Sequence, residues 1–136
     1  MILADTSAWV EYDRATGSSV DHRLMKLISS EGSLAVTEPV IMEVMAGART
    51  DEREVDPRRL LLRFHLLRLD AAIDFELAAK IYRHCRRAGV TPRGMVDCMI
   101  VSVAQRYSAS LLTADSDLSR IAEIVNVVLD TASISP

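Results

Sequence analysis

The stretch "GMVDCMIVSVA", residues 94–104, is apolar around nearly its whole circumference when it is built as a helix. Its apolar residues are Met95, Val96, Cys98, Met99, Ile100, Val101, Val103 and Ala104. A helix that is apolar on all sides belongs in the interior of a protein. Yet Asp97 lies in its first turn, where an unpaired charge costs several kcal/mol or more. The stretch therefore predicts a buried helix and raises the question of what balances its carboxylate.

Outward from this helix, short apolar runs alternate with segments of helical periodicity. The runs that predict strands are "MILAD" (1–5), "SLAVT" (33–37), "HLLRLD" (65–70), "SLLTAD" (110–115) and "VNVVLD" (125–130). The segments that predict helices are "TSAWVEY" (6–12), "SSVDHRLMKLISS" (18–30), "EPVIMEVMAGA" (38–48), "AIDFELAAKIYRHCRRAG" (72–89) and "SDLSRIAEI" (116–124). Such alternation predicts a mostly parallel central sheet with helices on both faces, as one α/β domain over residues 1–136.

Two details of this assignment depend on local signals. Thr6 or Ser7 is the expected N-cap of the first helix, because hydroxyl side chains accept hydrogen bonds from free N–H groups there. Between the second and third strands, "TDEREVDPRRLLLRF" (50–64) predicts a loop up to Asp56 and a helix that Pro57 opens.

The composition indicates an ordinary globular protein. The 136 residues are 49% hydrophobic and 26% charged, and no apolar run approaches the roughly 20 residues that span a bilayer. The first residues include an early acid and no basic region, so a signal peptide is not expected. Only Cys85 and Cys98 occur, both in helical segments, which predicts free thiols and a reducing cytoplasm rather than a disulfide framework.

The net charge of −3 does not by itself favour a nucleic-acid partner. However, five acids have a separate explanation below, and removing them from the 19 leaves 14 acids against 16 bases. All the bases except Lys26 and Lys80 are arginine, which suits bidentate phosphate contacts. The same bias can reflect genomic base composition, so it does not decide between partners.

Four carboxylates are expected to meet at one edge of the sheet. In open parallel sheets, ligands bind beyond the carboxyl ends of the strands. Asp5 ends the first strand, and Asp115 ends "SLLTAD". Asp97 opens the helix before that strand, and Glu43 lies within the helix that follows the second strand.

Each of these acids also has a purely structural interpretation. Asp5 fits a helix cap equally well. Glu43 lies off the apolar side of its helix and alone predicts an exposed glutamate. Asp115 and Asp117 fit turn and cap positions. Asp97 fits such an interpretation least. It could accept hydrogen bonds from backbone N–H groups at the helix start, but its apolar surroundings make such a site strained unless a cation is nearby.

Taken as a group, the carboxylates favour a divalent cation. Crowded carboxylates repel one another and stay ionised together only around a cation. All-oxygen ligands favour Mg²⁺ or Mn²⁺, whereas His22, His65 and His84 show no metal-binding spacing. The main use of an acidic Mg²⁺ site is phosphoryl chemistry, in which the ion activates a water and neutralises phosphate charge. The sequence does not distinguish a site for one ion from a site for two.

Four motifs, "MILADTSAWVEY", "EPVIMEVMAG", "GMVDCMIVSVA" and "LLTADSDL", resemble in order and spacing those of PIN-domain ribonucleases, and in particular the VapC toxins of bacterial toxin–antitoxin pairs. The resemblance covers essentially the whole chain. It implies a PIN-like α/β fold and an endoribonuclease that needs Mg²⁺ or Mn²⁺. It assigns the metal ligands to Asp5 and Asp97, with Glu43 and Asp115 completing the site, a hydroxyl role to Thr113, and a water-mediated role to Asp117.

The same resemblance implies partners. It implies a homodimer, a VapB-type antitoxin whose tail covers the active-site groove in a toxin–antitoxin hetero-oligomer, and an RNA substrate, a tRNA, cut in an unpaired loop to leave 5′-phosphate and 3′-hydroxyl ends. Residues considered for the partner groove are Trp9, Leu24, Leu27, Leu61 and Leu62, although core packing is expected for most of them. Residues considered for RNA contact are Arg58, Arg59, Arg63, Arg86, Arg87 and Arg93, each of which is also compatible with a solvated helix face.

Other functions fit less well or differ in their consequences. A phosphoacceptor receiver domain needs a lysine after a late strand, and neither Lys26 nor Lys80 is so placed. A haloacid-dehalogenase-type phosphatase needs a second aspartate two residues after the first, where this chain has Ser7. A PIN nuclease of housekeeping RNA processing and a non-catalytic module that holds a structural cation remain as alternatives.

Overall fold

The computed structural model describes residues 1–30 and 32–136. Their strands are β1 (Ile2–Ala4), β2 (Leu34–Val36), β3 (His65–Leu66) and β4 (Ser110–Leu112). Their helices are α1 (Thr6–Asp13), α2 (Ser19–Ser29), α3 (Glu38–Ala46), α4 (Asp51–Leu61), α5 (Ala71–Arg87), α6 (Met95–Tyr107) and α7 (Ser116–Ile124). No helix in these two ranges is both long and apolar enough to cross a membrane.

The sheet is parallel throughout, in the order β3-β2-β1-β4. Leu3 pairs with Ala35 on one side and with Leu111 on the other, so β1 is central. The chain moves from β1 through β2 to β3 and then crosses to β4 on the opposite side of β1. The order of strands therefore reverses between β1 and β4, which is where open α/β sheets bind their ligands.

The helices cover both faces of the sheet, as the alternation of elements predicts. Right-handed crossovers put α1 to α4 on one face, because they connect strands that follow one another in one direction. They put α5 and α6 on the other face, because the chain then returns to β4. The helix pairs that pack together, α1 with α2, α3 with α4 and α5 with α6, agree with this division.

The core lies between these layers. Leu3, Val36 and Leu111 from the strands are fully or almost fully buried, and so are Ile100 and Val101 from α6. The expectation of an interior helix therefore holds for most of α6, although Met95 at its start is 39% exposed. Cys85 and Cys98 are buried free thiols, as their positions in helices predicted.

The predicted N-cap of α1 at Thr6 or Ser7 is wrong, whereas the alternative interpretation of Asp5 as a helix cap is confirmed. Asp5, not Thr6 or Ser7, caps α1, and its side chain accepts a hydrogen bond from the backbone N–H of Ala8 at 2.9 Å. The hydroxyls of Thr6 and Ser7 are instead directed to other carboxylates, that of Thr6 to Glu43 and that of Ser7 to Asp5. A carboxylate accepts the N–H bonds of a helix start at least as well as a hydroxyl does.

The predicted loop before Pro57 is also wrong. Helix α4 begins at Asp51, and Pro57 lies inside it. A proline within a helix costs about 3 kcal/mol through its missing N–H and the clash of its ring. The Thr50 hydroxyl caps the helix by accepting from Arg53 N at 3.2 Å, three acids occupy the first turn, and Leu61 is buried at its end. Together these favourable terms outweigh the proline.

The predicted last strand at residues 125–130 is reduced to one bridge, between Leu111 and Leu129. Leu111 donates to Val128 O at 2.9 Å and accepts from Asp130 N at 2.7 Å, but the ladder goes no further. Asp130 closes a turn by accepting from Ala132 N at 3.1 Å, which directs the chain away from the strand. Ser133 then takes the place of a strand neighbour, because its Oγ accepts from Thr113 N at 3.1 Å.

Candidate active site

A cavity of about 360 Å³ lies where β1 and β4 end, at the reversal of strand order. Asp5 and Asp115 reach it from the ends of these strands, Asp97 from the first turn of α6, and Glu43 from the middle of α3. The four acids that were expected to converge therefore line one cavity. Its other lining residues are Thr6, Ser7, Val10, Glu11, Ile100 and Ala114.

Asp5 is the most deeply buried of the four acids, with 2% of its surface exposed. One oxygen accepts from Ser7 Oγ at 2.7 Å and from Ala8 N at 2.9 Å, and the other accepts from Thr113 Oγ1 at 2.6 Å. Burial nevertheless raises the pKa of Asp5 to about 6, because loss of hydration outweighs these three hydrogen bonds. Asp5 is thus both a helix cap and a carboxylate of the cavity.

Asp97 has its pKa governed by burial and charge. Burial raises the pKa of Asp97 to about 6, and the negative charges of Asp115, Glu43 and Asp117 act in the same direction. The guanidinium of Arg93 opposes them without reversing the shift. The cap position of α6 is Gly94, which has no side chain to satisfy the free N–H groups of the first turn. The carboxylate is therefore held in an environment that disfavours its charge.

Glu43 is half-buried rather than exposed, which corrects the expectation from its helix position alone. Its Oε1 accepts a hydrogen bond from Thr6 Oγ1 at 2.5 Å, across the packing of α1 against α3. This bond directs the carboxylate toward the end of β1. The apolar side of α3 faces elsewhere, so the orientation depends on a partner that helical periodicity does not reveal.

Asp115 caps α7 and lines the cavity at once, so both of its interpretations hold. Its Oδ1 accepts from Asp117 N at 2.9 Å, and its own N–H donates to Thr113 Oγ1 at 3.0 Å. Arg93 contacts both oxygens of Asp115 through Nη2 at 2.8 Å and reaches Asp117 through Nε at 2.5 Å. Asp117 thus stands beside the cavity and shares a base with Asp115.

Two hydroxyl groups join the ends of β1 and β4. Thr113 is fully buried, and its Oγ1 connects Asp5 to the backbone of Asp115. Ser7 Oγ accepts from Ala114 N at 2.8 Å and lies 3.2 Å from Thr113 Oγ1. Sequence reasoning considered Thr113 but missed Ser7 and Thr6 as parts of the site. Their signal was present, since hydroxyl residues directly follow Asp5.

The arginines considered for RNA contact divide into three groups. Arg93 reaches the acids directly. Arg86 and Arg87 lie in the last turn of α5, which packs against α6, but neither lines the cavity. The remaining three, on or just after α4, are exposed, and none is joined to an acid of the cavity among the described residues: Arg58, Arg59 and Arg63.

Most of the residues considered for a partner groove belong to the core. Trp9, Leu24, Leu27 and Leu61 are at most 3% exposed. Trp9 packs its ring against Phe64 at a centroid distance of 6.0 Å. Only Leu62, at 59% exposure, remains on the surface.

The donor set of the cavity fits a hydrated divalent cation. Its candidate ligands are carboxylate oxygens, the type that Mg²⁺ and Mn²⁺ prefer. Within the two described ranges, no three acidic, histidine or cysteine side chains stand close enough to enclose a bare ion. Mg²⁺ tolerates such spacing, because it keeps several waters and takes one or two direct carboxylates. Burial raises the pKa values of Asp5 and Asp97, and neighbouring carboxylates add to both shifts, so a bound cation would favour their charged forms.

Comparisons with known proteins agree on one family. The PIN domain family model matches residues 2–124. The chain is 45% identical over 128 residues to "VapC ribonuclease Mb1587" of Mycobacterium bovis, covering 93% of this chain and 96% of that protein. "Ribonuclease VapC11" of Mycobacterium tuberculosis matches with the same identity and coverage. The fold resembles a chain of VapBC2 from Rickettsia felis, solved with a promoter DNA fragment, at a TM-score of 0.74, 20% identity and coverage of 96% and 98%.

Proposed function

The chain belongs to the PIN-domain family and, within it, to the VapC ribonucleases, and from this premise we propose that its acidic cavity performs Mg²⁺- or Mn²⁺-dependent endonucleolytic hydrolysis of RNA. The observation that carries the proposal is the convergence of four carboxylates from four separate elements on one cavity. The raised pKa values of two of them support it, because groups with perturbed pKa values cluster at functional sites.

The proposed roles of the residues come from the family resemblance and are compatible with their positions in the cavity. Asp5 and Asp97 would hold the cation, and Glu43 and Asp115 would complete its acidic surroundings. When bound, the cation supplies a water that is nucleophilic near neutral pH and neutralises charge on the phosphate. The chain itself keeps the carboxylates in place, and they would accept hydrogen bonds from waters around the ion. Asp117, beside Asp115, would assist through water.

The surrounding hydroxyls are positioning groups. Hydrogen bonds from Ser7 and Thr113 orient the carboxylate of Asp5, and a hydrogen bond from Thr6 orients that of Glu43. A carboxylate whose rotation is restricted in this way is prepared for a ligand before the ligand arrives, which lowers the cost of binding.

The proposed substrate is RNA cut within an unpaired loop, a tRNA in the first instance, with 5′-phosphate and 3′-hydroxyl products. Unpaired nucleotides are flexible enough to bring a backbone phosphate into a recessed cavity, whereas a rigid duplex is not. Arg93, which is paired with Asp115, and the exposed arginines near the ends of α4 and α5 would contact flanking phosphates.

The proposed cellular role is that of the toxin in a type II toxin–antitoxin pair. A VapB-type antitoxin would bind it in a hetero-oligomer that contains a homodimer of this chain. The structural similarity to a chain of the VapBC2 complex supports the antitoxin partner. One domain over residues 1–136 would carry the activity in the cytoplasm, where its RNA substrates are. Induced expression of this chain should stop growth, and co-expression of the antitoxin should restore it. A nuclease of housekeeping RNA processing would leave growth intact.

The direct test of the activity uses the purified protein, unmodified tRNA and Mn²⁺. We expect cleavage that chelation with EDTA abolishes and added Mn²⁺ restores. Asp97→Asn should remove it, whereas Glu76→Gln, an exposed acid on α5 paired with Lys80, should cut as the parent does. Cleavage that survives EDTA, or a fully active Asp97→Asn protein, would refute the proposal. A protein that binds Mn²⁺ but cuts no RNA would instead favour a non-catalytic metal-holding module.

A further inference from the structure

Arg93 is the one base that the described structure joins to the carboxylates of the cavity. Its Nη2 lies 2.8 Å from each oxygen of Asp115, and its Nε lies 2.5 Å from Asp117. A guanidinium that contacts two carboxylates is bound by charge-assisted hydrogen bonds, the strongest class at an exposed site. Arg93 therefore already occupies the position of a cation on one wall of the cavity.

The two partners of this contact are held very differently. Two hydrogen bonds hold Asp115 in place. Its Oδ1 accepts from Asp117 N, and its own backbone N–H donates to Thr113 Oγ1. Its side chain is 23% exposed, whereas that of Arg93 is 65% exposed. Arg93 rises from the connection between α5 and α6 and has a long, flexible side chain. The acid stays in place if the contact breaks, and the base is free to leave.

The charge of Arg93 alone does not balance the negative charge of the cavity. Five carboxylates line the cavity, Glu11 among them. The single guanidinium pairs with Asp115 and Asp117, while Asp5, Glu43 and Asp97 receive no base from the described residues. A divalent cation placed among them carries twice the charge and would compete with Arg93 for Asp115. Because both ligands prefer the same oxygens, binding of one must weaken binding of the other.

We propose that Arg93 is a substrate-binding residue held in reserve on Asp115 and Asp117, which a divalent cation displaces and which then binds an RNA phosphate beside the cavity. The proposal rests on the proposed function and adds an exchange: the oxygens that Arg93 leaves go to the cation, and its planar fork goes to the phosphate. The exchange keeps the guanidinium paired with an anion before and after substrate binding. Cation and RNA binding are thereby coupled through one side chain.

The exchange predicts opposite effects of one substitution on two ligands. Arg93→Gln removes the competitor, so the metal-free protein should bind Mn²⁺ about three to ten times more tightly, by titration calorimetry without RNA. The same protein should bind a short single-stranded RNA at least about five times more weakly, with Ca²⁺ in place of Mn²⁺ and the RNA verified as intact on a gel. The slope of log Kd against log salt concentration should fall by about 0.7, as for one lost contact to single-stranded phosphate.

Two further variants make the result specific. Arg83→Gln removes an exposed arginine of α5 that has no ion pair in residues 1–30 or 32–136, and both affinities should stay within about twofold of the parent. Arg93→Lys keeps the charge, and its Mn²⁺ affinity should return to within about twofold of the parent.

Unchanged or weaker Mn²⁺ binding by Arg93→Gln would overturn the exchange, and so would unchanged RNA binding or an Arg93→Lys protein that binds Mn²⁺ like Arg93→Gln. If the parent protein itself binds no Mn²⁺, the proposed function fails together with the exchange. If the parent binds Mn²⁺ and cuts RNA but the variants show no opposite effects, only the exchange fails. The binding measurements thus test the exchange without relying on cleavage, and the cleavage assay tests the proposed function.

Discussion

The two ends of α6 treat buried carboxylates in opposite ways. Near the C-terminal end, Ser102 and Arg106 hold Asp74 of α5, whose side chain is completely buried. Ser102 Oγ donates to it at 2.7 Å, and Arg106 contacts both oxygens, at 3.1 Å through Nε and 2.7 Å through Nη2. Burial alone would raise the pKa of Asp74, but these hydrogen bonds and the charge of Arg106 outweigh it and lower the pKa.

At the N-terminal end, Asp97 stands among acids, and its pKa is raised to about 6. Burial acts on both aspartates in the same direction, so the sign of the shift is decided by the partners. One end has a base and hydroxyl for its acid, and the other has further acids. We infer from this difference that a buried carboxylate paired with a base stabilises the fold. A buried carboxylate that has no base is available to bind a ligand from outside.

The largest expected effect comes from breaking the paired end. Arg106→Ala leaves Asp74 buried without its base, which should lower the free energy of unfolding by about 3–5 kcal/mol in urea denaturation. Replacing both partners, as in Asp74→Leu with Arg106→Met, should recover most of that loss, because no charge is then left buried. A loss below about 1 kcal/mol in the single variant would show that the pair has no structural importance.

The matching change at the acidic end should act on activity instead. Asp97→Asn keeps the shape of the side chain and removes its charge, so RNA cleavage should fall at least about a hundredfold, which corresponds to about 2.7 kcal/mol of barrier. The free energy of unfolding of the metal-free protein should stay the same or rise by about 1 kcal/mol, because repulsion from Asp115 and Glu43 is relieved. A marked loss of stability would contradict the distinction between the two ends.

Removing one hydroxyl group at each buried aspartate, Asp74 and Asp5, should give smaller effects of the same two kinds. Ser102→Ala should lower the free energy of unfolding by about 1–2 kcal/mol. Cleavage rates should stay the same, because its partner Asp74 does not line the cavity. Thr113→Val should lower cleavage at least about tenfold, because Asp5 loses a 2.6 Å hydrogen bond that directs its carboxylate. Equal effects of both variants on activity would remove the contrast.

The smallest effect is the pH dependence of the metal-free protein. Asp5 and Asp97 have folded pKa values of about 6 against the ordinary 3.8, so their contribution to stability is fully present below about pH 3.8 and lost as the pH rises through 6. Asp74 has a lowered pKa, so its contribution is present above pH 3.8 and lost as the pH falls. Melting temperatures should therefore be highest near pH 4, fall by several degrees as the pH rises through 6 to 7, and recover at pH 7 with added Mn²⁺. A curve that rises steadily from pH 5 to 7 without metal would contradict these signs.

Much of this arrangement can be predicted from sequence. Apolar runs that end in acids give the strand ends, and a parallel sheet brings its carboxyl ends to one edge, so Asp5 and Asp115 were expected to meet. Asp97 was conspicuous because its neighbours are apolar. The four acids do line one cavity, as these arguments predict. Their assignment as metal ligands stays a prediction.

What sequence reasoning missed depends on contacts between elements. The pairing of Arg93 with Asp115, across 22 residues, follows from where two loops meet and leaves no periodic signal. The roles of Ser7 and Thr6 need the positions of β4 and α3 to be known. Helix α4 continues through Pro57 because a cap and buried leucine outweigh a local propensity, and the last strand was lost to the turn closed by Asp130.

Calorimetric titration of the metal-free protein with Mn²⁺, repeated at pH 6 and pH 8 in buffers of different ionisation enthalpy, tests most directly whether the four carboxylates act as one cation site. We expect saturable binding that releases protons at pH 6 and almost none at pH 8, since Asp5 and Asp97 are partly protonated only at the lower pH. Asp97→Asn should abolish that binding. Absence of saturable binding in the parent protein, or binding that Asp97→Asn leaves unchanged, would contradict the account.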